Sequence, residues 1–299
     1  MSQHSADELA QAVVARLADC PNPRFKQVMT GLIEHAHAFV RDVDLKPDEW
    51  MAAIQFLTAT GQKCDDKRQE FILLSDTLGI SMLVVALEQL RGARAVRAMA
   101  QPGDAAPTEA TVQGPFYWEG SPEFPLGGDV TAGAPGEPAY YTGSVKATNG
   151  KPIAYCCLDI WSGDGEGVYD MQRGPDAGMR LRGRIRTDAQ GGYRFWSIKP
   201  AYYPVPVDGP VGGMLRSMGR HANRPGHIHM MVYADGYQRL TTHLFDRESP
   251  YLDSDAVFGV RNSLIVDFAK HPAGKAPDGR VLNKPYYSTN FDFKLVPAA

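Results

Sequence analysis

The stretch from Arg224 to Val232 reads RPGHIHMMV. His227 and His229 stand two residues apart, just ahead of an apolar run with the pattern of a strand. On a strand, residues i and i+2 point to one face, so both imidazoles are offered to the same side. Paired imidazoles on one face suit a metal ion. The same spacing at His35 and His37 falls in a helical pattern, where i and i+2 diverge, and those two read as ordinary surface residues. A metal site needs three or four protein ligands, and no cysteine pair has suitable spacing. His221 lies nearby in a loop, and His243 lies on the next strand. Further donors sit in two loops: Tyr169 in the Gly-rich GDGEGVYDMQ, and Tyr202 and Tyr203 in the Pro-rich IKPAYYPVPVDGPVGG. Each tyrosine alone reads first as a packing residue with one hydrogen bond. A phenol with its usual pKa of about 10 is ionised at neutral pH only by a strongly Lewis-acidic ion. Two phenolates with two imidazoles therefore suit Fe(III) better than Zn(II), and tyrosine has precedent as an iron ligand.

The elements that must position these residues fall into two blocks. In the first hundred residues the apolar period is helical. Ser5-Ala6-Asp7-Glu8 fits a capping box ahead of Leu9, Val13 and Leu17. Phe25, Val28, Leu32, Ile33, Ala36, Phe39, Val40 and Val43 form a stripe on a second helix. Pro47 opens a third, ahead of Trp50, Ile54 and Leu57. Helix continues from Glu70 to Leu90, with Gly92 as its expected stop. From Gln101, QPGDAAPTEATVQGPFYWEGSPEFPLGG loses this period and reads as a long structured connection. Short alternating runs follow. YYTGSVKA and IAYCCLDIW flank the turn Asn149-Gly150. MRLRGRIRT sets Met179, Leu181 and Ile185 on one face and four arginines on the other. YRFWSI, HIHMMVY and RLTTHLF continue the pattern, which predicts a β-sandwich or barrel. The expected fold is α+β, mainly β: a helical domain over 1–103 and a β-sandwich over 104–299.

A length of 299 residues allows a large core or two domains. The formal charge of −3 offers no surface for nucleic acid or anionic membrane. No apolar run reaches the roughly 18 residues that span a bilayer. The N-terminus has no basic stretch followed by an apolar one, so no secretion signal is expected. Cys20, Cys64, Cys156 and Cys157 have no regular spacing and read as free thiols of a reduced, cytoplasmic protein.

The segments GVYDMQ, LRGRIRTDAQGGYRFWSIKPAYYPVPVDGPVG, GRHANRPGHIH and LDSDAVFGV resemble those of the intradiol ring-cleavage dioxygenases. The resemblance extends over almost the whole chain, and its Tyr…Tyr…RP-x-H-x-H order is highly specific. It implies a helical N-terminal dimerisation domain, a linker carrying GPFY, and a β-sandwich holding one Fe(III) per subunit. The implied ligands are Tyr169, Tyr203, His227 and His229, with Tyr203 also taking up a substrate proton. Arg224 would stabilise negative charge on the substrate. The implied pocket comprises Leu73, Asp76, Gly114, Pro115, Phe116, Tyr202, Val205, Pro206 and Val257. Asp76 would accept a hydrogen bond from a third substrate hydroxyl. The stretches LLSDTLGISML and ATVQGPFYWEGSPEFPLGGDV are most similar to the branch that cleaves hydroxyquinol to 3-hydroxy-cis,cis-muconate, the enol form of maleylacetate. The branch that cleaves catechol is the near alternative. His243 departs from the pattern, standing where many catechol-cleaving members carry Gln. The partners implied are a small aromatic diol, O2 and a second subunit docked through the N-terminal helices, with phospholipid between them. Two readings from other classes are a non-catalytic sandwich that binds through its loops and a zinc hydrolase using His227, His229 and Asp170.

Overall fold

The computed structural model describes residues 5, 8–66, 68–99, 104–174 and 178–298. Its helices are α1 (Leu9–Ala15), α2 (Pro23–Asp42), α3 (Pro47–Gln62), α4 (Glu70–Thr77), α5 (Ile80–Met99) and α6 (Pro210–Ser217). The chain divides into two compact units, Met1–Ala59 and Thr60–Ala299.

The first unit holds α1, α2 and most of α3. Glu8 accepts a hydrogen bond from the Ser5 amide at 3.0 Å, and α1 begins one residue later. Ala6 and Asp7, between these two, lie outside the described residues. Helix α2 starts where Asn22 Oδ1 accepts from the Phe25 amide at 2.9 Å, with Pro23 at the first helical position. Of its expected apolar row, Phe25, Val28, Leu32, Phe39, Val40 and Val43 are exposed in the single chain.

In the second unit, Gly92 does not stop the helix as expected. The break comes earlier, at Gly79, whose φ of +75° is a left-handed conformation that glycine adopts without steric cost. Helix α5 then runs through Gly92, and a Cβ at that position would lie 3.5 Å from Gln238 Oε1. A helical glycine costs only about 1 kcal/mol, which local packing can override. Residues Gln101–Gly103 at the head of the connection lie outside the described residues. Among the described residues no single helix is long and apolar enough to cross a membrane.

The first strands are β1 (Pro138–Ala147), β2 (Cys157–Trp161), β3 (Arg182–Arg186), β4 (Gly192–Ile198) and β5 (Tyr203–Pro204). Next come β6 (Asn223–Arg224), β7 (His227–Tyr233), β8 (Leu240–Asp246), β9 (Ile265–Val266) and β10 (Ala269–His271). The last are β11 (Gly274–Lys275), β12 (Val281–Leu282), β13 (Tyr286–Asn290) and β14 (Phe293–Leu295). One five-stranded sheet has the order β3-β2-β7-β8-β9; the second joins β10, β13, β1 and β14, with β4 pairing β1; β5-β6 and β11-β12 form two-stranded sheets. Strand β2 starts later than its apolar pattern because Tyr155 takes a φ of +55° in a turn. The arginine face of β3 is not uniformly open to solvent, since Arg182 is buried.

Strand β7 is buried on both faces, which its sequence carries in two interleaved sets. Ile228, Met230 and Val232 pack in the core between the sheets, with Leu158, Ile160 and Phe195. The alternate residues His227, His229 and Met231 point the other way. Met231 there joins a smaller cluster with Phe116, Trp161, Tyr169 and Tyr203. The large sandwich core thus fixes the register that aims the histidines, because a one-residue slip would turn them into the core.

Candidate metal centre

Strand β7 delivers two donor atoms, and two loops deliver two more. Nε2 of His227 and Nε2 of His229 are 3.2 Å apart. Tyr203 opens β5 and pairs with Arg224 of β6, which sets its Oη 3.4 Å from His227 Nε2. Tyr169 closes the loop after β2; its Oη lies 3.2 Å from Tyr203 Oη and 3.0 Å from His229 Nε2. The four atoms form a closed ring, and all four side chains are buried.

The spacing fits a single cation. Metal–nitrogen distances of about 2.0–2.1 Å separate neighbouring ligand atoms by about 2.9 Å at right angles and about 3.4 Å in a tetrahedron. The electrostatics fit as well. Burial pushes the Tyr169 phenol well above its usual value, and the nearby Tyr203 adds to this. Burial also raises Tyr203, against the opposing charge of Arg224. His227 is pushed down to about 3 by burial, then by Arg224, and His229 is driven well below its usual range by burial, then by His227. With no cation, the ring holds two neutral phenols and two neutral imidazoles. A strongly Lewis-acidic cation would draw off the phenol protons and gain two anionic oxygens.

Each donor is held by neighbours. Phe116 stacks on Tyr169 at 4.4 Å between centroids, and Trp161 stacks on His229 at 4.6 Å. The Tyr169 amide donates to the Gln172 side chain at 2.8 Å. The next residue, Asp170, is clamped by Arg182 Nε at 2.7 and 2.9 Å, so its carboxylate is spoken for and does not join the imidazoles. Gly167, with φ +78°, sits where any Cβ would run into Tyr203 Cβ, so the two tyrosine loops touch here. Arg224 Nη1 lies 3.1 Å from His227 Nε2, beside the donor ring.

Three imidazoles, those of His227, His229 and His243, lie within 4.8 Å of one another. His243 is not a fifth donor to the ring, because its Nε2 faces Nδ1 of His229, on the far side from the tyrosines. His221 stays in an exposed loop, where its Nδ1 accepts from the Asn223 amide at 3.1 Å.

The expected pocket residues surround the donors unevenly. Leu73, Pro115, Phe116 and Pro206 line a cavity of about 450 Å³ whose mouth carries Arg68 and Asp208. Phe116, which lines this cavity, stacks on Tyr169. A Cβ on Gly114 would lie 3.4 Å from His229 Cε1, so glycine lets the linker approach the ring. Val205 and Val257 are buried, and the Val257 amide donates to Asp255. Asp76 is buried; burial raises its carboxyl, against a hydrogen bond from Ser81 and the charge of Arg224. Tyr202, just ahead of β5, is half exposed with its ring against Tyr251, whereas Tyr203 is buried. Sequence reasoning missed Asp255, Trp161 and the Asp170–Arg182 pair. Asp255 and Asp170 sit in quoted segments, but nothing local marks a carboxylate for burial against a distant arginine.

A buried ring of two phenols and two imidazoles on a β-sandwich is a donor set suited to one metal ion. The "Dioxygenase" family matches residues 112–297, and "Catechol dioxygenase N terminus" matches residues 22–95. A 6-chlorohydroxyquinol 1,2-dioxygenase of Cupriavidus pinatubonensis is 46% identical, over 99% of this chain and 99% of its own. The solved structure of a hydroxyquinol 1,2-dioxygenase from Pseudomonas putida DLL-E4 superposes with a TM-score of 0.84 at 43% identity, covering 98% of this chain and 99% of that one. A catechol 1,2-dioxygenase of Candida albicans is 34% identical over 95% of this chain and 90% of its own. The chain belongs to the intradiol ring-cleavage dioxygenases, oxidoreductases that use non-haem iron.

Proposed function

We propose that the protein holds one Fe(III) through Tyr169, Tyr203, His227 and His229 and cleaves hydroxyquinol (1,2,4-trihydroxybenzene) with O2. The bond broken joins the two adjacent hydroxylated carbons. Both oxygen atoms enter the product, 3-hydroxy-cis,cis-muconate, so the reaction needs no further reductant. The observation that carries the choice of substrate is the full-length similarity of 46% to an enzyme named for a hydroxyquinol, against 34% to one named for catechol.

When bound, the iron acts as a Lewis acid that draws electron density from a chelated diol. The protein supplies the rest. As a phenolate, buried Tyr203 would be a strong base, because burial disfavours its charged form. Its Oη is suited to take up one proton of the incoming diol. Arg224, fixed beside His227, places a permanent cation where negative charge gathers on the deprotonated substrate. Phe116 and Trp161 pack as buried apolar groups around Tyr169 and Tyr203. Asp76, which is buried, is suited to offer a polar contact for the third hydroxyl.

The apolar row of α2 supports a homodimer in which a second copy, with phospholipid, covers that face. Free thiols at Cys20, Cys64, Cys156 and Cys157 support a cytoplasmic setting. Oxygen uptake with hydroxyquinol and with catechol tests the substrate. The expected result is one O2 per diol and a higher kcat/KM for hydroxyquinol; a preference for catechol would reassign the substrate within the same reaction.

A further inference from the structure

The two histidines of the donor ring are supported from behind in different ways. Nδ1 of His227 lies 2.7 Å from the carbonyl oxygen of Pro225. A carbonyl only accepts, so His227 carries its proton on Nδ1 and turns a lone pair inward from Nε2. His229 has no carbonyl behind it. Its Nδ1 lies 2.7 Å from Nε2 of His243, and Nδ1 of His243 lies 3.0 Å from Thr111 Oγ1. This chain of three side chains can run in two directions. In one, His229 Nδ1 donates to His243, and His243 Nδ1 donates to Thr111. In the other, Thr111 donates to His243, and His243 Nε2 donates to His229, which puts the proton of His229 on Nε2. Only the first leaves an inward lone pair on His229.

Strand register builds this arrangement. Trp161, His229 and His243 stand directly opposite one another across β2, β7 and β8. Trp161 stacks on the face of His229 with 16° between the planes, while the ring of His243 meets it edge-on at 85°. The ring of His229 is thus fixed in plane by Trp161 and in rotation by His243. All three side chains are buried, so no water competes for Nδ1.

We propose that the Thr111–His243 pair is a hydrogen-bond relay that accepts from Nδ1 of His229 when its Nε2 holds the metal, making His243 a positioning residue for the metal centre. The inference rests on reading His229 as a ligand through Nε2. Partners of this kind orient metal-bound histidines, and their loss typically lowers metal affinity about 10–100-fold.

The test compares wild type with His243→Leu, His243→Gln and Thr111→Val, each loaded with iron. The readouts are iron per subunit, the half-life of iron against a hydroxamate chelator, and the melting temperature of the iron-free form. In His243→Gln a side-chain carbonyl can accept the bond from Nδ1; in His243→Leu nothing can. Iron is expected to leave His243→Leu at least ten times faster than wild type, with His243→Gln restoring most of the difference and Thr111→Val falling between. Wild-type iron retention in Thr111→Val and in a folded His243→Leu would overturn the relay. If His243→Leu does not fold, a Gln variant that fails to retain iron better than Thr111→Val overturns it equally. A wild-type protein that binds no iron would instead overturn the ligand reading on which the relay stands.

Discussion

The guanidinium of Arg224 is gripped along one edge by the carboxylate of Asp255, Nε to Oδ1 at 3.0 Å and Nη2 to Oδ2 at 3.2 Å. The remaining nitrogen, Nη1, is left to face His227. Asp255 is itself fixed by the amides of Val257 at 3.3 Å and Gly259 at 2.9 Å. Both side chains are buried. Burial alone would lower Arg224, but the charge of Asp255, the nearby Tyr203 and the hydrogen bonds to Asp255 together more than reverse this and leave it above its usual value. The cation beside the donor ring is therefore permanent, and its direction is set by a residue that does not touch the ring.

Removing one partner of a buried pair strands the other. Asp255→Ala is expected to destabilise the iron-free protein by about 3–5 kcal/mol, read by urea denaturation. The pH dependence follows from Asp255. Burial would raise its carboxyl, yet Arg224 holds it below the usual value. A carboxylate lowered in the fold adds stability above its unfolded pKa of about 3.9, and that stability is lost as pH falls through the folded value. The stability gap between wild type and Asp255→Asn is therefore full at pH 7 and narrows below about pH 4. A gap that is unchanged there would show that the pair carries no such linkage.

Arg224 tests differently, because its loss spares the four donors. Arg224→Gln is expected to keep its iron while kcat falls by about 10²–10³-fold, the usual cost of a lost charge-stabilising donor. Arg224→Lys keeps a charge but has no planar fork to hold Asp255 and reach His227 together, so it should recover only part of the rate. Steady-state oxygen uptake with iron measured on the same samples checks both. Full activity in Arg224→Gln would remove the residue from the reaction.

Gly167 separates backbone strain from site geometry. At φ +78°, Gly167→Ala costs roughly 1–2 kcal/mol in a left-handed conformation, and its new methyl also pushes on Tyr203. Gly150, at φ +83°, has nothing within 4 Å of a Cβ, so Gly150→Ala carries the strain alone. Gly167→Ala should lose more stability than Gly150→Ala, and only Gly167→Ala should lose iron. Equal iron contents would mean that the two tyrosine loops do not need their close contact.

How far the sequence reveals this molecule depends on the range of the interaction. The alternation in HIHMMVY marks a strand locally, so the shared face of His227 and His229 is legible. The two tyrosine loops are legible as loops, but their convergence on β7 is visible only through the family resemblance. The row Trp161–His229–His243 depends on which strands pair and in what register, and no local pattern encodes that. Gly92 misleads because a helix in a packed protein tolerates glycine, while the residue that breaks it, Gly79, lies between two helical patterns of the same period. Arg182 reads as one of four surface arginines, because its burial depends on Asp170 across a loop.

The most direct test is the visible spectrum of the iron-loaded protein, recorded without oxygen before and after adding hydroxyquinol. Phenolate ligands on Fe(III) give a strong visible band, so a red-brown protein is predicted. The band is predicted to shift when the diol is added. A protein that stays colourless after loading with iron would contradict the assignment of Tyr169 and Tyr203 as ligands. A coloured protein whose band ignores the diol would contradict direct binding of substrate at the metal.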